Sequence, residues 1–253
     1  MNLDIKQSFK NVGISPNDTI MIHGDAGVAA QITNVAINHR LNFLIDEIIN
    51  FIGNQGTLIV PTFSYSFTKN QDFDVHNTPS DLGAFSEAFR THPDSLRSKN
   101  PNFSVSSIGK DSGKYINSRI DDCFGSETAF DLLFKDNAKI VCLGCNFSRI
   151  TFVHYVEQNI GVKYRYFKKF FGRIVDNGHI EEIENRYYVR DLSIESQGEL
   201  EEIKKAATEK RVLSQTTFGR FPLFSIGVED FFLIATELLR KNPYALTEHR
   251  FSL

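Results

Sequence analysis

Short apolar runs that alternate with helix-period segments set the narrowest limit on what this chain can fold into. "TIMIHG" (19–24) is apolar and β-rich and ends on glycine, which reads as a buried strand. Segment 36–53 then places Ile37, Leu41, Leu44, Ile45, Ile48, Ile49 and Ile52 at helical spacing and stops at Gly53, the residue expected at a helix C-terminus. "GTLIVPTFSYS" (56–66) gives a second strand with Pro61 marking its exit, "NFSVSSIG" (102–109) a third and "AKIVCLG" (138–144) a fourth. Between them Ser80 is placed to cap a helix over 81–90, and Ser126 one over 126–134. Strand and helix in alternation predict an α/β layered core, with function gathered in loops at the carboxyl ends of the strands. That expectation brings together the loop after His23, the loop after Pro61 and the segment carrying His154.

The pattern changes after about residue 162. Asn177-Gly178 lies between two β-rich runs, a hairpin signal, and a helix (198–211), two strand-like pieces and a helix (227–242) follow. With no internal repeat, low-complexity tract or linker, 1–253 reads as one domain with a β-hairpin excursion over about 163–191.

The 253 residues carry a formal charge of -3, which gives no bulk attraction to nucleic acid or to an anionic membrane. No apolar run approaches the roughly 20 residues of a membrane span, and the first ten residues lack a signal peptide's apolar stretch, so a cytoplasmic location is expected. Cys123, Cys142 and Cys145 are an odd number for a disulfide framework and fit reduced thiols. With 23 Phe, 8 Tyr and no Trp, the core is expected to pack on phenyl rings.

Chemistry is best sought in "ITFVHYVEQN" (150–159). On a helix Thr151, His154 and Glu157 share one face, and Ile150, Phe152, Val153 and Val156 can pack that helix on the sheet. An imidazole with a carboxylate on its far nitrogen is a general base held in one tautomer; the bland reading is an incidental i, i+3 pair. Cys142 and Cys145 form CxxC, either structural or a redox or zinc half-site, without a second CxxC; HExxH is absent, so no metal is expected. His23, at a strand end, is a structural histidine or a site group. His76 and His92 lie in polar segments, as ligand contacts or as simply exposed histidines. The basic aromatic run with Lys163, Arg165, Lys168, Lys169 and Arg173 is a phosphate binder or a strand with a solvated face.

"GTLIVPTFS", "NTPSDLGAFSEAFRTHPDSLRSKNPNFSVSSIG", "FGSETAFDLL" and "VCLGCNFSRITFVHYVE" occur in the order and spacing of the aminoglycoside 3-N-acetyltransferase-like acyltransferases, over roughly residues 15 to 165. The resemblance implies a three-layer α/β/α sandwich around a mixed sheet, and transfer of an acyl group from acetyl-CoA or another acyl-CoA to a primary amine of an amino sugar. The family's TxxHxxE motif falls on Thr151, His154 and Glu157, with His154 as base and Glu157 holding its ring. It further implies that the loop with His23, Gly24, Asp25 and Ala26 lies along the pantetheine arm. Thr78, Pro79, Ser80 and Gly83, with Arg97, Ser98, Pro101 and Ser104, would line the coenzyme cleft. Many family members have two hydroxyl residues where this chain has Gly24 and Asp25, and often a histidine where it has Asn100. Backbone N–H groups of the turn Gly24 to Gly27 are candidates for holding a developing oxyanion.

The acceptor is left open between two amino-sugar classes. A polycationic aminoglycoside calls for carboxylates, with Asp72, Asp74, Asp81, Asp121, Asp122 and Glu127 as candidates; a nucleotide-linked amino sugar calls for lysine, arginine or backbone donors. Asn100 lies near the expected acceptor side. A homodimer is left open, as are a metal-dependent hydrolase and a non-catalytic CoA-binding relative.

Overall fold

The computed structural model describes residues 4–248. Helix α1 (Ile5–Asn11) leads to strand β1 (Thr19–Gly24), helix α2 (Arg40–Ile52) and strand β2 (Thr57–Pro61). Strand β3 (Phe73–Asp74), helix α3 (Ala84–Arg90), strands β4 (Leu96–Arg97) and β5 (Val105–Gly109) and helices α4 (Ser112–Ile116) and α5 (Ala129–Lys135) follow. Strand β6 (Lys139–Leu143) precedes helix α6 (Val153–Ile160) and the long strands β7 (Arg165–Asp176) and β8 (His179–Arg190). Helix α7 (Glu201–Glu209), strands β9 (Ser214–Phe218) and β10 (Phe221–Gly227) and helix α8 (Val228–Lys241) close the described chain.

Seven strands form one sheet in the order β4-β5-β2-β1-β6-β10-β9. β1 runs parallel to β2 and β6, while β5 and β10 are antiparallel to their neighbours, so the sheet is mixed as expected. Alternation along β1 creates the layers. Ile20 and Ile22 face Leu44, Ile45 and Ile48 of α2 and Phe85 and Phe89 of α3. Met21 faces the opposite core, which holds Tyr115, Leu133, Val156, Ile203 and Phe231 from the other helices. The phenyl core is here: Phe103 lies 5.0 Å from Phe63 and 4.6 Å from Phe124, ring centre to ring centre, both edge-on. Among the described residues no helix is long and apolar enough to cross a membrane.

The hairpin forms where Asn177-Gly178 predicts it. Asn177 (φ 49°) and Gly178 (φ 82°) both take the left-handed conformation that a two-residue turn between twisted strands requires. β7 and β8 pair along their length, and β3 joins β7 in parallel to complete a second, three-stranded sheet.

Several expected boundaries move. Ser80 does not cap α3, which starts at Ala84 after Gly83 (φ 99°). The Ser80 N–H donates to Glu87 Oε2 at 2.9 Å and the Asp81 N–H to the Phe63 carbonyl at 2.8 Å, which ties this stretch to the exit of β2 instead of a helical turn. Ser126 does not cap α5 either; Thr128 does, accepting from the Asp131 N–H. α2 begins at Arg40 after a short 3-10 turn, while the second strand ends at Pro61, where its exit is expected.

Candidate active site

Because β1, β2 and β6 are parallel, their carboxyl ends share one edge of the sheet, and a cavity of about 560 Å³ opens there. His23, Gly24 and Asp25 enter it from β1, Pro61, Phe63 and Tyr65 from beyond β2, and Asp81 from the turn before α3. Cys145, Arg149, Thr151 and His154 come from the β6–α6 connection, and Arg165, Tyr187 and Arg190 from the hairpin. The three segments expected together therefore meet.

Helix α6 seats the central pair. Phe152 and Val156 are fully buried against the core, and Phe124 meets the His154 ring edge-on at 5.4 Å. His154 Nδ1 is 2.8 Å from Glu157 Oε2. Arg165 places Nε 2.8 Å from the same oxygen and Nη2 3.0 Å from Nδ1, and the Tyr164 hydroxyl donates to Oε1 at 2.9 Å.

The charges decide the tautomer. Burial pushes the Glu157 carboxyl up, but Arg165, His154 and Tyr164 outweigh it, so the group sits below the usual carboxylate range and is an anion. A carboxylate 2.8 Å from Nδ1 requires a proton on that nitrogen, because two lone pairs would repel. Nδ1–H therefore donates to Glu157, Arg165 acts on the ring through its charge, and Nε2 is left as the basic nitrogen. Burial and then Arg165 lower the His154 pKa, opposed by Glu157, which keeps the imidazole neutral at neutral pH.

Thr151 lies outside the helix, in the turn before it. Its carbonyl accepts from the His154 N–H at 3.0 Å and its hydroxyl reaches the Arg149 carbonyl at 3.4 Å, so the expected three-residue helix face reduces to His154 and Glu157, with Thr151 on the cavity wall.

His23 is 8 % exposed with Nε2 unpartnered, and burial lowers its pKa to about 4. A neutral ring nitrogen beside a cavity can take a hydrogen bond from a ligand. Gly24 is glycine because the Phe85 ring fills the space a side chain would need: a Cβ there would fall 2.5 Å from it. Asp25 caps the following 3-10 turn through the Gly27 N–H at 2.7 Å, and its own N–H donates to the Leu143 carbonyl. Two N–H groups of the turn expected to hold an oxyanion are therefore already used. Ala26 does not line the cavity.

The other expected cleft residues build scaffold and do not line the cavity. Arg97 donates to the Thr62, Val75 and Thr78 carbonyls and to Ser104, stitching three segments beside Pro79 and Ser80. Ser104 donates to the Thr62 carbonyl, and Ser98 accepts from the Val105 N–H. Asn100 is buried, donating to the Asp122 carbonyl and accepting from the Asn102 and Phe103 N–H groups. Of the carboxylates, Asp72 pairs with Arg173, Asp74 caps its own turn, Glu127 pairs with Lys135, Asp121 with Arg119, and Asp122 is fully buried against Arg186; only Asp81 reaches the cavity.

Cys142 is buried in β6, while Cys145 lines the cavity with its thiol donating to the His23 carbonyl at 3.2 Å. Arg165 is the residue that sequence reasoning missed. A buried carboxylate needs a cation, but no local pattern selects Arg165 from its basic neighbours Lys163, Lys168 and Lys169. Among the described residues, no group of three or more His, Cys, Asp and Glu side chains could hold a metal ion.

The family model for aminoglycoside 3-N-acetyltransferase matches residues 21–240. The chain belongs to that family. Its curated relative, the SPbeta prophage-derived aminoglycoside N(3')-acetyltransferase-like protein YokD of Bacillus subtilis (strain 168), is 21% identical over 179 residues, 62% of this chain and 64% of YokD. The chain thus matches less than two thirds of that relative's length. Among solved structures, the aminoglycoside acetyltransferase AAC(3)-Xa superposes with a TM-score of 0.80 at 18% identity, over 94% of this chain and 91% of that one. AAC-IIIb, as a binary complex with CoASH, gives 0.78 at 16% over 93% and 94%. Sisomicin-bound AAC-VIa gives 0.80 at 16% over 93% and 96%. These likenesses establish the acetyltransferase fold.

Proposed function

We propose that this chain transfers an acyl group from acetyl-CoA or another acyl-CoA directly to a primary amine of an amino sugar, with His154 as general base. The observation that carries the reading is the His154–Glu157 pair on the cavity wall, with Nδ1 bound to a buried carboxylate and Nε2 left basic. Family membership supports the reaction class, and the CoASH complex of AAC-IIIb supports the donor.

The amine nitrogen attacks the thioester carbonyl, and a C–N bond forms. His154 Nε2 takes the proton that the nitrogen must lose, and Glu157 stabilises the imidazolium. The C–S bond then breaks, and the departing thiolate receives that proton to leave as CoASH. In this reading His23, Gly24 and Asp25 flank the thioester, supported by their position on the cavity wall at the end of β1 and by the unpartnered His23 Nε2. A cytoplasmic location, where acyl-CoA is available, fits this chemistry.

His154→Ala is expected to lower kcat by at least about 10²-fold while acetyl-CoA still raises the melting temperature. Thiol release at the wild-type rate would overturn the assignment.

A further inference from the structure

The cavity's charge balance bears on the acceptor. Asp25 and Asp81 are its carboxylates, and Arg149, Arg165 and Arg190 its guanidiniums. Arg165 is neutralised by Glu157, and Asp81 by Lys69. Among the described residues, Arg190 donates to the neutral Gln197 amide oxygen, and neither Arg190 nor Arg149 has a carboxylate within ion-pair distance. Neither guanidinium therefore has an ion-pair partner among the described residues, and the cavity's other carboxylate, Asp25, already accepts from the Gly27 N–H.

A polycation entering this cavity would bring like charge against Arg149 and Arg190, with Asp25 as the one carboxylate there not already in an ion pair among the described residues. An anion finds two forks of donors whose geometry suits carboxylate and phosphate. In coenzyme A the phosphates lie at the far end of the pantetheine arm from the thioester, so guanidiniums that share a cavity with the base meet the acceptor.

Building on the acyltransfer reading, we infer that the acceptor amine carries an anionic group, a phosphate or a carboxylate, held by Arg190 and Arg149, and that a polycationic aminoglycoside is a poor acceptor. The test uses the full chain and four amines: glucosamine, glucosamine 6-phosphate, glucosaminuronic acid and sisomicin. Thiol release from acetyl-CoA gives kcat/KM, and calorimetry gives binding independently of turnover.

At least one anionic amine is expected to exceed glucosamine and sisomicin about tenfold or more, and whether it is the phosphate or the uronic acid identifies the anion. Arg190→Gln and Arg149→Gln should each remove about tenfold of that preference, and Arg190→Lys should restore part of it, with the KM for acetyl-CoA little changed. If no amine is acetylated but an anionic amine still binds, and Arg190→Gln weakens that binding, the acyltransfer reading fails and the anion site stands. Preference for sisomicin, indifference to charge, or arginine variants that raise only the KM for acetyl-CoA would each overturn the inference.

Discussion

Arg165 and His154 converge on one oxygen: Arg165 Nε, as an ion pair, and His154 Nδ1, as a hydrogen bond, both lie 2.8 Å from Oε2 of Glu157. The hairpin strand thus completes a cluster whose imidazole is on α6, and the guanidinium does two things at once. It holds the carboxylate charged, and it opposes protonation of the imidazole.

Removing that charge should shift the pH profile. Arg165 lowers the His154 pKa, and a base acts when unprotonated, so activity in the wild-type protein should persist below the usual histidine range. In Arg165→Met the pKa rises and the acid limb of kcat/KM moves to higher pH. An unmoved limb, measured by thiol release from pH 5 to 8, would contradict this account.

Glu157→Gln acts with the opposite sign on the ring. Loss of the carboxylate lowers the His154 pKa further, removes the partner of the imidazolium and should cut kcat by at least about 10²-fold. It also leaves the Arg165 guanidinium buried without its counter-ion, a change that costs about 3–5 kcal/mol. Urea denaturation of the variant against wild type reads that loss; equal midpoints would show that the pair does not carry stability.

His23 should make the fold acid-sensitive. Its folded pKa of about 4 lies below its unfolded value of 6.5, so the unfolded state binds the proton first. Stability then falls as pH drops through 6.5 and stops falling below about 4. Between pH 7 and pH 5 the loss from this group is about 2 kcal/mol. His23→Asn should lose correspondingly less over that interval by denaturant titration, and parallel losses in the two proteins would refute the assignment.

Gly24 and Phe85 should couple. Gly24→Ala forces a methyl against the Phe85 ring and is expected to cost about 1–3 kcal/mol. In a Phe85→Leu background the same substitution should cost less, as a double-mutant cycle would show. Additive costs would mean that the ring is not the obstacle.

The layered core was legible because its signals are local. The strands beginning at Thr19, Thr57, Val105 and Lys139, the helix ending at Gly53 and the turn at Asn177-Gly178 each announce themselves within a few residues. Boundaries at Ser80 and Ser126 were misplaced because a serine's capping power depends on which N–H groups the surrounding chain leaves free. The His154–Glu157 pair was visible as an i, i+3 spacing, since one helix fixes both ends of the contact.

Sequence alone determined the α/β order, the hairpin and the spacing that pairs His154 with Glu157, all properties of segments shorter than about 20 residues. Tertiary structure decided that Thr151 stands off the helix and that Arg97, Ser98, Asn100 and Ser104 are scaffold. It also turned Asp72, Asp74, Asp121, Asp122 and Glu127 away from the cavity and brought in Arg165, Arg190 and Arg149. The reason is physical: that Arg165, among several basic neighbours, is the one to meet Glu157 depends on how the hairpin sheet and helix α6 pack, and no residue's neighbours in sequence carry that information.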